Sequence, residues 1–383
     1  MASETFYLVT YFGTIVGRDQ GSGGLRHLSL PDIGLPLEFK WINEETLALA
    51  KECRDHKPAA GDFDLLRESL PVTITRAPSQ EGFGLKVRGR YATADFDGCI
   101  RFAREQLLGW EIFQPVLKSR VIEMVSRWDR RHEISIPQPR RSFAIPKIIH
   151  QVYFVDRHGD FPPPDVVIDN INLIRARNPD WSYRLWTRKD IYDFIYDQFG
   201  FNFFSLFLKI NHEYPVARVD LFKLLLMYRR GGVYLDVKSN CTKPLSEVIS
   251  DDDQFLLSHW ETDIAPSRHD WGRHYEVRHI EGFEYINWFI AAAPGHPYLE
   301  QAIINVCSNI LNYDPIIQKR GGIAVLRTTG PIPYSLAIHK LLDQQPHRFI
   351  RIDQEGLLYE AFPNRTSIFP TKHFSHVNTD VVL

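Results

Sequence analysis

ARVDLFKLLLMYRRGGVYLDVKS, residues 217–239, is the stretch on which the reading of the fold turns. Pro215, just before it, suits a helix's first turn, and the Gly231–Gly232 pair is a C-terminal stop. Between Val216 and Tyr228 the helix is apolar around most of its circumference; Asp220 and Lys223 interrupt its middle. They are three residues apart and so share one face. A solvated ion pair is the plain reading. The neighbours Val219, Leu221, Phe222, Leu224 and Leu225 point instead to burial on nearly all sides, where a charge is paired or has a task.

VYLDV follows as a short strand. Alternation sends Val233, Leu235 and Val237 to one face and Tyr234, Asp236 and Lys238 to the other, with Asp236 and Lys238 about 6.6 Å apart along the strand. α/β sheets bind ligands at the carboxyl ends of their strands. The end of this strand is therefore the expected site.

The α/β pattern extends outward from there. PKIIHQVYF and WSYRLWT have strand character, PPPDVVIDNINLIRARNP reads as a Pro-started helix, and RKDIYDFIYDQFG reads as a helix closed by Gly200. Strands alternating with helices argue for a parallel or mixed sheet over residues 145–383. Residues 1–117 differ. FYLVTYFGTIVGRDQGSGGLRHLSL holds two short strand-like runs, and the stretch from Phe83 to Val116 echoes it, with a less regular segment from about 45 to 81 between. Three units of about 40 residues suit a small all-β, trefoil-like binding domain. In residues 118–144, Val121, Met124, Val125 and Trp128 make one helical stripe, and SIPQPRRSFAIP reads as a solvated linker.

The chain has 383 residues, 44% hydrophobic and 24% charged, with a net charge of −2. That composition is ordinary for a globular protein and excludes nucleic acid as the main partner. Cys53, Cys99, Cys241 and Cys307 lack metal or redox spacing and read as free thiols. The N-terminus lacks the features of a signal peptide, and no run suits a membrane span. The expectation is a cytoplasmic protein, compatible with peripheral association at the inner face of a membrane.

Residues 217–239 resemble the core of glycosyltransferase family 32, whose pattern is a helix with Ser-Asp-x-x-Arg followed by Gly-Gly-x-Tyr-x-Asp-x-Asp. Asp220 stands at the helix acid and Lys223 at the usual Arg. Asp236 is the first acid of the Asp-x-Asp pair, and Lys238 replaces the second. IPKIIHQVYF, NPDWSYRLWT, NWFIAAAPGHPYLEQAI, TTGP (Thr328–Pro331) and FPTKHFSHV resemble further segments of the family, in order, so the resemblance covers residues 145 to about 376. The N-terminal module resembles fascin-like trefoils in pattern.

The resemblance implies an α/β GT-A type nucleotide-sugar transferase domain. It implies a retaining hexosyltransferase moving a hexose or N-acetylhexosamine from a UDP- or GDP-sugar to a glycan or glycolipid acceptor, as in polysaccharide biosynthesis. Asp220, Lys223, Asp236 and Lys238 are its implied catalytic residues. Tyr153 would stack on the base, with His150, Asn287, Thr329 and Gly330 also at the donor. Mn²⁺ or Mg²⁺ would be held by Asp236 with His373 or His376, neutralising the departing diphosphate. Lys238 leaves two accounts open, because a charged lysine cannot ligate a metal. It is an added phosphate contact beside the metal, or it supplies the positive charge itself. The alternative from another class is a non-catalytic carbohydrate-binding protein with a degenerate transferase domain.

Overall fold

The computed structural model describes residues 5–19, 24–29, 36–50, 66, 72–77, 82–128, 134–155, 162–261, 268–360 and 374–383. The chain divides into two units: residues 1–130 with 314–319, and residues 131–313 with 320–383.

The first unit is all-β apart from one helix. Its strands are β1 (Phe6–Val9), β2 (Ile15–Arg18), β3 (Leu25–Leu28), β4 (Phe39–Asn43), β5 (Thr46–Leu49), β6 (Val72–Arg76), β7 (Phe83–Val87), β8 (Arg90–Ala94), β9 (Ile100–Arg104) and β10 (Gln114–Leu117). They pair antiparallel in the order β3-β2-β1-β4-β5-β6-β7-β8-β9, and β10 pairs with β1. An Arg26–Cys99 bridge brings the two ends of that path together. The first stretch holds three strands where two were expected, because Leu25–Leu28 pairs in register with Ile15–Arg18. Alternating side chains such as Leu8, Phe39, Leu47 and Phe113 fill the interior.

The helix Lys118–Trp128 belongs to this unit. Val121 and Val125 pack with Tyr7, Val9, Ile15 and Val116, and with Ile316 and Ile317 of the 314–319 segment. Arg120 bonds Asp314 through Nε at 3.0 Å. The segment expected as a solvated linker is also partly committed. Ile136 lies in the second unit's main core, and Tyr228 Oη donates to Gln138 Oε1 at 2.9 Å.

The second unit is built on a mixed sheet. Its strands are β11 (Ile148–Val152), β12 (Ser182–Trp186), β13 (Gly232–Leu235), β14 (Asn240–Cys241), β15 (Phe255–Leu257), β16 (Phe289–Ala292), β17 (Arg348–Phe349) and β18 (Leu357–Leu358). The sheet order is β12-β11-β13-β16-β15-β17, and β14 pairs separately with β18. β11 runs parallel to β12 and β13, while β16 is antiparallel to β13 and β15. Tyr234, Ile290 and Ala292 face the large core around the helix Pro215–Arg230. Val233, Leu235, Ile149 and Ala291 face a second core on the other side. Both faces are covered, so β13 lies at the centre of the unit.

Helices form where Pro starts and Gly stops were read, with one difference. The helix Arg188–Lys209 contains the expected break at Gly200 (φ 80°, ψ 179°), but helical turns resume at once beyond it. Gly231 and Gly232 make the junction between helix and central strand possible, at φ 63° and 98°. A Cβ on Gly232 would sit 2.5 Å from the Ile148 carbonyl oxygen of the neighbouring strand. Gly232→Ala is expected to lower unfolding free energy by more than about 1 kcal/mol, since both φ and space oppose it. Urea denaturation reads that loss.

Candidate functional site

The site forms where β13 runs out. The strand ends at Leu235, and residues 236–239 are a turn closed by the Ser239 amide donating to the Asp236 carbonyl at 2.8 Å. The expected continuation of the strand through Lys238 is therefore corrected: Asp236 and Lys238 flank Val237 in a turn. Val237 leaves the face of Val233 and Leu235 and joins a cluster with Tyr153, Val155, Val167 and Ile171. Two side chains brace the turn. Gln151 Nε2 donates to the Asp236 carbonyl at 3.1 Å, and Asn170 Nδ2 donates to the Ser239 carbonyl at 2.9 Å. On the strand's other edge, the Asp236 amide donates to the Trp288 carbonyl at 2.8 Å, extending the β13–β16 ladder by one step.

Asp236 is half-buried. Tyr234 Oη, itself buried, donates to Asp236 Oδ1 at 2.9 Å. That bond orients the carboxylate and leaves Oδ2 for an outside donor. Burial and the neighbouring Asp236 carboxylate push the Tyr234 hydroxyl's pKa well up, so it stays a donor.

Asp220 and Lys223 lie behind it on the helix. Lys223 Nζ is 2.7 Å from Asp220 Oδ1, with side chains only 4% and 7% exposed respectively. This is a buried ion pair, not a surface one. Thr329 Oγ1 donates to Asp220 Oδ2 at 3.3 Å, so both carboxylate oxygens are engaged. Burial, the largest influence, raises the Asp220 pKa; the Lys223 ammonium opposes it, and Asp236 adds to it. Lys223 Nζ also lies 5.5 Å from the centre of the Tyr234 ring. Tyr234 thus stands between the buried pair and the half-exposed acid.

Lys238 Nζ donates to Tyr359 Oη at 2.7 Å, lies 4.4 Å from the centre of that ring, and is 3.9 Å from Glu360 Oε1. Pairing of β14 with β18, Asn240 opposite Leu358, carries Tyr359 to this turn. The Tyr359 ring packs on Trp260 and Trp288, both at 5.2 Å, and on Trp271 at 5.9 Å. The Trp288 indole nitrogen is buried and has no hydrogen-bond partner.

The other expected residues fall differently. His150 is 1% exposed and sits in the core. Trp186 Nε1 donates to its Nδ1 at 3.2 Å, and its Nε2 faces the Gly231 carbonyl at 3.2 Å. Both ring nitrogens are used inside the protein, so His150 holds the start of β13 and offers nothing to a donor. Tyr153 is 4% exposed within the Val237 cluster, so its ring presents almost no face to a base. Thr329 reaches Asp220, as described. Gly330 is a packing position, where a Cβ would meet Leu326 Cα at 2.9 Å. Asn287 is half-buried beside Trp288, one ladder step beyond Asp236's partner. His376 is exposed in the turn Phe374–His376, and His373 lies outside the described residues.

Of the expected Mn²⁺ or Mg²⁺ ligand set, Asp236 lies in the turn, His376 is exposed, and His373 lies outside the described residues. Among the described residues, no group of three or more His, Cys, Asp or Glu could hold a metal ion. The turn offers the Asp236 carboxylate, bonded by Tyr234, next to the Lys238 ammonium, which repels a cation and has Glu360 3.9 Å away. That donor chemistry does not fit a divalent ion, which takes several hard oxygen ligands. Tyr234, Gln151, Asn170 and Tyr359 were missed in the sequence. Only Tyr234 carried a signal, through its place on the same strand face as Asp236.

Burial lowers the His150 pKa to about 4, and does the same to His296. Each is neutral when folded but gains a proton on unfolding below its ordinary value near 6.5. Stability is therefore full above that value and falls as pH drops from there toward 4. The expected loss is about 3 kcal/mol for each histidine. Urea unfolding at pH 7 and pH 4.5 reads it, and His150→Gln is expected to flatten the dependence.

Residues 164–256 match the family model described as the glycosyltransferase sugar-binding region containing a DXD motif. Inositol phosphoceramide mannosyltransferase 1 of Schizosaccharomyces pombe is 29% identical over 247 residues, 63% of this chain and 63% of that protein. Initiation-specific alpha-1,6-mannosyltransferase of the same yeast is 27% identical over 211 residues, 52% of this chain and 50% of that protein. The chain thus spans between half and two thirds of the length of these relatives. Among solved structures, the PaToxG glycosyltransferase covers 59% of this chain and 78% of its own, at 13% identity and a TM-score of 0.35, too slight a likeness to carry a comparison of folds. A second Asp-x-Asp in the matched region, Asp251–Asp253, precedes β15, and Asp253 is buried and bonded by Arg348 Nε at 2.8 Å. The turn at Asp236 is the one at a strand's carboxyl end. Residues 164–256 are therefore similar to the sugar-binding region of DXD-containing glycosyltransferases.

Proposed function

We propose that the second unit is a retaining glycosyltransferase of GT-A type, using a nucleoside-diphosphate sugar. The observation that supports this most is the placing of two acids of different character about Tyr234, Asp220 on the helix and Asp236 at the strand end. Asp220 is buried and locked to Lys223, while Asp236 is half-exposed and aimed by Tyr234. Asp236 Oδ2 accepts from donor hydroxyls and fixes the sugar over the turn. The Asp220–Lys223 pair holds the floor of the site rigid behind Tyr234. Asn287, beside the ladder, is placed to bond the sugar or acceptor. The glycosidic bond from the anomeric carbon to the diphosphate breaks with its electron pair going to the phosphate oxygen. The acceptor hydroxyl bonds the anomeric carbon, and its proton passes to the diphosphate.

We take mannose as the hexose and a glycolipid or glycan as the acceptor, a reading that the relatives' names as mannosyltransferases support. We read the first unit as a trefoil-type binding module, on the echo between β1–β3 and β7–β9. No helix among the described residues is long and apolar enough to cross a membrane. The test is incubation with GDP-mannose and inositol phosphoceramide, with the product's anomeric configuration read by NMR. An α-linked mannosyl product is expected. A β-linked product would overturn retention, and no transfer to this or any glycan acceptor would overturn the acceptor class.

A further inference from the structure

We propose that Lys238 takes over the electrostatic work of a divalent cation, so that this chain transfers sugar without a metal. The inference rests on the transferase reading above and concerns the same turn.

Charge comes first. The matched family model is described by an acid at both ends of its Asp-x-Asp motif, and DXD-containing glycosyltransferases generally use a divalent metal. Here the second position is lysine. Acid to ammonium changes the formal charge of the turn by two units, the same change a bound divalent cation makes. Glu360, 3.9 Å from Lys238, adds one negative charge to the zero sum of Asp220, Lys223, Asp236 and Lys238. Residues 236–239 themselves carry one acid against one ammonium, where an Asp-x-Asp turn would carry two acids to bind a cation.

Geometry comes second. A lysine on a mobile stem is a poor substitute for a fixed ion, because holding it in place costs side-chain entropy. Lys238 is held. Its ammonium donates to Tyr359 Oη and lies against the Tyr359 ring, which is packed among Trp260, Trp271 and Trp288. The braces from Gln151 and Asn170 fix the backbone of the turn that carries it. Its side chain is 23% exposed, enough to meet a ligand and covered enough to strengthen the interaction. An ammonium has three donors, and a diphosphate oxygen would join Tyr359 and compete with Glu360 for them. When the anomeric carbon–oxygen bond breaks, the electron pair collects on the diphosphate, and Lys238 stabilises that charge. It stays protonated throughout.

The experiment compares the full chain with Lys238→Asp and Lys238→Met. Nucleoside diphosphate released from GDP-mannose or UDP-sugars is measured in EDTA and again with Mn²⁺. Wild type is expected to keep its rate in EDTA within about twofold. In EDTA, both variants are expected to lose roughly 10²-fold or more, the scale of removing one preorganised charge-stabilising group. Added Mn²⁺ is expected to restore Lys238→Asp at least about tenfold and to leave Lys238→Met low. Loss of wild-type activity in EDTA with recovery on Mn²⁺ would overturn the proposal, as would a Lys238→Asp variant fully active in EDTA. Calorimetric titration with Mn²⁺ reads the same claim without turnover. Wild type is expected not to bind and Lys238→Asp to bind, and binding by wild type would overturn it. Absence of turnover in wild type would overturn the transferase reading instead, and the titration would still decide the role of Lys238.

Discussion

Replacing Lys223 by methionine is expected to lower the unfolding free energy by about 3–5 kcal/mol, the cost of leaving a buried charge unpaired. Asp220 and Lys223 are both almost fully buried, and their 2.7 Å contact is the main compensation for removing either charge from water. With the cation gone, the already raised Asp220 pKa rises further. A carboxyl with a raised folded pKa destabilises as pH rises through that value, so the loss is expected to be larger at pH 8 than at pH 5. The double variant Asp220→Asn/Lys223→Met removes both charges and is expected to recover most of the stability. Urea unfolding of Lys223→Met, Asp220→Asn and the double variant beside wild type completes the cycle. A cost below about 1 kcal/mol for Lys223→Met, typical of exposed pairs, would contradict the burial argument.

Asp236→Asn is the second large effect, and it falls on activity. The residue is half-exposed and its one side-chain bond is from Tyr234 Oη, which an amide oxygen accepts equally well. Folding should therefore change little, with Tm within about 2–3 °C of wild type, as for substitutions outside a core. The lost charge is the one proposed to hold the donor, and kcat/KM for sugar transfer is expected to fall roughly 10²–10³-fold. Near-normal activity would remove Asp236 from the site. A large drop in Tm would make its role structural.

The helix, the glycine junction and the central strand were legible because each rests on local chemistry. Pro215 starts, Gly231 stops, and apolar residues surround one acid and one lysine. The turn at 236–239 was not legible, because Val237 and Lys238 continue the alternation of the strand. What ends it is distant: Asn170 on one side and the start of β16 on the other. His150 and Tyr153 were misplaced for a related reason. An apolar run does not say which polar residue within it meets core carbonyls and which meets solvent, and Trp186 and Gly231 settle that for His150. Tyr359 could not be read at all. It reaches Lys238 through the β14–β18 pairing, across more than a hundred residues of chain.

The proposed reaction is cleavage of the bond between a sugar and its nucleoside diphosphate at Asp236, with Asp220 on the helix behind it. The most direct measurement is nucleotide released from GDP-mannose and a panel of UDP-sugars by wild type and Asp236→Asn, side by side. Release from at least one donor by wild type, lost in Asp236→Asn, is the predicted result. No release from any donor, with glycan binding intact in both proteins, would contradict it and leave a carbohydrate-binding protein.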